Sequence, residues 1–133
     1  MSNEPRYTPA HVANSFLRRA EDEGIAVSPL KLQKLVYIAY GWVLATLDRR
    51  LFAEEIEAWD HGPVIPSPYH EFKHFGRRPI EALATELDWD SEEVEVRHPA
   101  IPDSDDKVRA VLDKVWQVYK RISAWSLRNL THQ

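Results

Sequence analysis

Residues 70 to 74 of this 133-residue chain read His70-Glu71-Phe72-Lys73-His74, a literal H-E-x-x-H. In a zinc hydrolase, two histidines four apart on one helix ligate the metal and the glutamate acts as base on the bound water. Here Pro68 and Gly76 crowd the segment from both sides, and Lys73 sets a positive charge inside the motif, where a divalent cation would sit. Glu92, Glu93 or His98 would have to supply a third ligand, and no spacing supports that. A solvated pair of histidines is favoured, with a zinc site through His70, Glu71 and His74 as the alternative. Asp60-His61, with Ser67 nearby, could orient a nucleophile, but no G-x-S-x-G elbow accompanies them, so His61 is read as helping to close the turn into Gly62-Pro63. Four scattered glycines build no phosphate loop, and no cofactor is expected.

Lys31 and Lys34, three apart at the start of a helical stretch, invite a helix-turn-helix reading with DNA as the ligand. A recognition helix needs a polar exposed face, whereas this one turns apolar after its second turn and follows the acidic run Glu21-Asp22-Glu23. A DNA-binding regulator therefore ranks third, and nucleic acid is not expected to bind this chain by itself. The plain reading of the two lysines is a solvated first turn. The functional reading makes them part of a partner-facing surface together with residues 60 to 76.

The element that must position these groups is Ser28 to Leu47. Ser28 can cap it, Pro29 suits the first helical position, and Leu32, Leu35, Val36, Ala39, Val43 and Leu47 form an apolar stripe beside a second of Ile38, Trp42 and Ala45. Apolar nearly all round, it is predicted to be a central buried helix. Its lysines, tyrosines and charged exit argue against a membrane span. Thr8-Pro9 opens an earlier helix that ends before Gly24 and packs on it, while residues 1 to 7 form a loose terminus. Alternation predicts a strand within 51 to 59 and another over 93 to 97, which would pair. Ser67-Pro68 opens a short helix from Tyr69 to Phe75. Residues 79 to 89 suit a helical turn or two with Ile80, Leu83 and Leu87 inward. Asp103 or Ser104 should cap a long helix carrying Val108, Val111, Leu112, Val115, Tyr119 and Ile122, and Ala124, Leu127 and Leu130 continue as a terminal helix. The expected architecture is α+β, mostly α: a single helical domain, residues 1 to 133, with a small two- or three-stranded antiparallel sheet.

Absence of cysteine excludes disulfides, thiolate metal sites and cysteine nucleophiles. A start with no apolar run behind basic residues predicts no secretory signal and a cytoplasmic protein. The formal charge of −4 gives no net attraction to nucleic acid. Five tryptophans and five tyrosines exceed what a minimal core needs, which favours binding. Trp42 is expected in the core, Trp59 could serve as core or contact, and Trp116 and Trp125 cannot be placed.

The ordered series Leu30-Lys31-Leu32-Gln33-Lys34-Leu35, Tyr37, Gly41-Trp42, Ile56-Glu57-Ala58-Trp59, Gly62-Pro63-Val64, Tyr69, Phe72-Lys73 and Gly76 resembles the Panacea-domain family of SocA-like antitoxins and GepA-like phage-associated proteins. Ser123-Ala124-Trp125 and Leu130-Thr131-His132 resemble its C-terminal signature, so the likeness covers about residues 8 to 132. The resemblance implies a non-enzymatic antitoxin that holds a cognate protein toxin inactive by binding it. In some relatives it implies an adaptor that delivers the toxin to an ATP-dependent protease. The family pattern runs on past the Thr-His with a tryptophan-containing segment, whereas this chain stops at Gln133. The partner-facing candidates are Lys31, Lys34, Tyr37, Trp59, His61, Gly62, Pro63, Val64, Tyr69, Phe72, Lys73, Thr131 and His132. No membrane contact is expected, and a homo-oligomer is left open.

Overall fold

Cap chemistry sets the helix boundaries in the computed structural model, which describes residues 5–60, 62–90 and 92–131. Helix α1 (Pro9–Glu23) starts after Thr8, whose backbone N–H donates to His11 Nδ1 at 3.1 Å, and stops at Gly24 in the left-handed region (φ 66°). Ile25 N–H then returns to the Ala20 carbonyl at 2.9 Å, closing the orphan end. Helix α2 (Pro29–Leu47) is capped by Ser28 Oγ, which accepts from Lys31 N–H at 3.3 Å. Two short strands follow, β1 (Glu57–Trp59) and β2 (Gly62–Val64), then α3 (Pro66–Phe72) with a 3-10 turn over Lys73–Phe75. After them come β3 (Glu86–Asp88), β4 (Glu95–Arg97), α4 (Asp106–Tyr119) and α5 (Ala124–Thr131). The fold is α+β and mostly helical.

Helix α2 is central, as its composition predicts: it touches all four other helices and β2. Leu32, Leu35, Val36, Ala39 and Val43 are buried with Val12 and Phe16 of α1, Val108, Leu112, Val115 and Trp116 of α4, and Leu127 of α5 in one apolar cluster. Its cover is incomplete, because Gly41, Leu44 and Ala45 are exposed and Trp42 is only half-buried against the edge of Tyr119. Among the described residues no helix is long and apolar enough to cross a membrane.

Several expectations are overturned. Residues 93 to 97 do not pair with the 51 to 59 segment. β1 pairs antiparallel with β2 (Glu57 opposite Val64), and β4 pairs with β3 (Leu87 opposite Val96), giving two separate two-stranded ladders. Sequence-local hairpins need the least chain closure, which favours neighbours over a distant pairing. Residues 79 to 89 hold no helix; Ile80 and Leu83 do pack on the core, but Leu87 is exposed. Leu51 and Phe52 are buried in a loop rather than a strand. Helix α3 begins at Pro66, after Ile65, and its free N–H at Ser67 is taken by Glu54 Oε2 at 2.8 Å. Asp105, not Asp103 or Ser104, caps α4, accepting from Val108 N–H at 3.4 Å.

The described part of the N-terminal segment is anchored rather than loose at Tyr7, which is buried and forms a parallel bridge with Phe52. Its hydroxyl donates to Asp105 Oδ2 at 2.5 Å, and Arg49 makes a two-pronged contact with the same carboxylate at 3.1 and 3.3 Å. One carboxylate thus joins the start of the chain, the exit of α2 and the cap of α4.

Candidate partner-binding surface

Gln33 and Lys34 position the segment after β1 from the core side. Gln33 Nε2 donates to the Ile65 carbonyl at 3.0 Å and its Oε1 accepts from Ile65 N–H at 2.8 Å, a reciprocal pair in a buried place. Lys34 is 1% exposed, and its ammonium donates to the Pro63 carbonyl at 3.3 Å. Loss of solvent pushes its pKa below the ordinary lysine value, and the Arg128 guanidinium of α5 pushes the same way. Lys31 is also buried, with its Nζ donating to the Lys120 carbonyl at the end of α4, and burial likewise lowers its pKa. The solvated first turn is therefore corrected. Both lysines bury their stems in the core and donate to backbone carbonyls.

The β1–β2 hairpin that these side chains support carries Trp59 outward, 38% exposed, with its ring edge-on to Tyr69 of α3 at 4.7 Å. Gly62 and Pro63 are half-buried, and Val64 is buried. Phe72 is core, 2% exposed, whereas Lys73 is exposed in the 3-10 turn. His61 and His132 lie outside the described residues.

Tyr37 and Thr131 meet at a different place. Together with Ile38, Gly41, Trp42 and Leu44 of α2, Ile56 before β1, Tyr119 of α4 and Leu130 of α5 they line an open groove of about 590 Å³. Gly41 lies on α2 with nothing within 4 Å of where a Cβ would stand. Thr131 directs its hydroxyl back to the Leu127 carbonyl at 3.2 Å, so what remains for a partner is chiefly apolar and aromatic surface. Of the groove residues, Leu44 carries no conspicuous sequence signal, whereas Tyr37, Gly41, Trp42, Ile56, Leu130 and Thr131 all fall within the family-like motifs.

The H-E-x-x-H string does not form the face that zinc chemistry needs. Helix α3 ends at Phe72, which leaves His74 in a tighter turn, and His70 and His74 are both exposed. Glu71 Oε2 accepts from both the N–H and the hydroxyl of Thr85 at 2.9 Å. Among the described residues no group of three or more His, Asp or Glu is placed to hold a metal ion.

The structure thus presents a helical scaffold with an aromatic hairpin and an apolar groove. The family described as SocA-like antitoxins with a Panacea domain matches residues 32–133, and the chain belongs to that family. It is 32% identical over 134 residues to Antitoxin SocA of Caulobacter vibrioides, an alignment that covers 99% of this chain and 69% of that protein. No solved structure gives a significant match.

Proposed function

We propose that this chain is the antitoxin of a toxin–antitoxin pair and neutralises a cognate protein toxin in the cytoplasm by direct, non-enzymatic binding. The observation that carries the reading is kinship to an antitoxin along nearly the whole chain. The Tyr37–Leu44–Leu130 groove and the β1–β2 hairpin, whose Trp59 meets Tyr69 of α3, supply the binding surface, since aromatic and apolar groups are what protein partners bury. Lys34 and Gln33 act behind that surface by holding Pro63 and Ile65 in place.

Co-expression with the product of the adjacent open reading frame tests this. The expected result is co-purification and rescue of growth; a growth-inhibitory neighbour that neither binds nor is relieved would overturn the reading. Delivery to an ATP-dependent protease is the second mode that the kinship suggests. It would show as a shortened toxin half-life in the presence of this chain, whereas neutralisation by occlusion alone leaves the half-life unchanged or longer.

A further inference from the structure

The β3–β4 hairpin shows an apolar face that the described residues leave about half exposed or more. Leu87 stands opposite Val96, and Trp89 and Val94 follow by the same two-residue alternation, so all four share one side. They are 49, 60, 71 and 53% exposed respectively. The hairpin is not adrift. Buried Asn14 of α1 donates from Nδ2 to the carbonyls of Ala84 and Pro99, each at 2.9 Å, and accepts from Ala84 N–H at 2.6 Å, which clamps both ends of the segment to the core. Three-residue strands are marginal alone, so this clamp presents a fixed apolar face that contributes nothing to the interior.

Charge selects the occupant. Residues 86 to 97 hold six acidic residues and one arginine, a local −5 against −4 for the whole chain. A second copy would bring −5 against −5, and nucleic acid or an anionic lipid surface would be repelled in the same way. We propose that this face is a second docking surface for the cognate toxin, which meets it with a basic rim around an apolar recess that takes Trp89 and Val96. The proposal rests on the antitoxin reading and adds the chemistry of the partner's face.

The test uses the intact chain and the purified product of the adjacent open reading frame, with affinity measured by calorimetry. The intact chain is expected to bind and to weaken as salt rises from about 0.05 M to about 0.5 M. A Trp89→Ser/Val96→Ser variant should bind about tenfold more weakly or worse. A Glu92→Lys/Glu95→Lys variant should bind more weakly and lose most of the salt dependence. Both variants should keep the intact chain's circular dichroism and thermal midpoint, because the altered side chains lie outside the core. Binding by the intact chain with both variants unaffected overturns the hairpin proposal and leaves the antitoxin reading standing. No binding by the intact chain removes both.

Discussion

Gln33 and Lys34 are chemically the least expected occupants of the buried start of α2, and each satisfies backbone that the two-stranded ladder leaves over. Replacing Gln33 by Ala orphans the buried N–H of Ile65 and leaves its C=O with the Tyr69 N–H at 3.3 Å alone, which should destabilise by about 1 to 3 kcal/mol in urea denaturation. An unchanged midpoint would mean that Ile65 finds other partners. Lys34 gives a pH signature instead. Its folded pKa lies below the ordinary value of 10.5, through loss of solvent first and Arg128 second, so the unfolded chain holds the proton more firmly. The penalty of the buried charge is present in full below the folded pKa and is relieved as pH climbs towards 10.5. Relative to Lys34→Met, the wild type should therefore gain stability as pH is raised from neutral towards 10.5. A difference between the two that stays flat with pH would refute this. Lys34 was misplaced in sequence by its type alone. Lys34 stands four before Ile38, on the second apolar stripe, and position rather than polarity decided its burial.

At the scale of elements, the helices were legible because their signals are redundant: cap, proline at the first turn and 3.6-residue periodicity agree for α1 and α2, and periodicity carries α4. Strands of three residues hold too little pattern for that. The alternation over 93 to 97 was readable, but its partner at Glu86–Asp88 was masked by the helical spacing of Ile80, Leu83 and Leu87. The α4 cap was missed by one or two residues because Asp103, Ser104 and Asp105 are all competent. Tertiary partners chose among them, since only Asp105 reaches Tyr7 and Arg49. Burial pushes that carboxyl up, and the hydrogen bonds from Arg49, Tyr7 and Val108 outweigh it and hold the pKa below 3.8. Asp105→Ala should destabilise by about 2 to 4 kcal/mol, and Asp105→Asn, which keeps the cap acceptor, by less. Because the folded value is depressed, the gap between wild type and Asp105→Asn should persist above pH 3.8 and close as pH falls through the folded pKa. Chemical denaturation across that range checks both the order of the variants and the closure.

For the molecule as a whole, the family was legible from the order of short motifs, while the groove was not, because it is assembled from α2, α4, α5 and the residue before β1. Stability and binding pull apart at Gly41. A glycine within a helix is worth about 1 kcal/mol less than alanine, and a Cβ here would meet no atom within 4 Å. Gly41→Ala should therefore raise the unfolding free energy by about 0.5 to 1 kcal/mol, read from chemical denaturation. If the groove seats the toxin, the same methyl enters the contact from its α2 wall, and a larger side chain enters further. Affinity for the adjacent gene product should then fall in the order Gly41, Ala, Gln while thermal stability does not fall with it. Two kinds of variant complete the comparison: Asp105→Ala weakens the scaffold away from the groove and the β1–β2 hairpin, whereas Gly41→Gln fills the groove on an intact scaffold. Rescue of growth that tracks stability across this set would assign α2 a purely structural role. Rescue lost in Gly41→Gln but retained in Asp105→Ala, at a temperature where both are folded, would place the toxin in the groove.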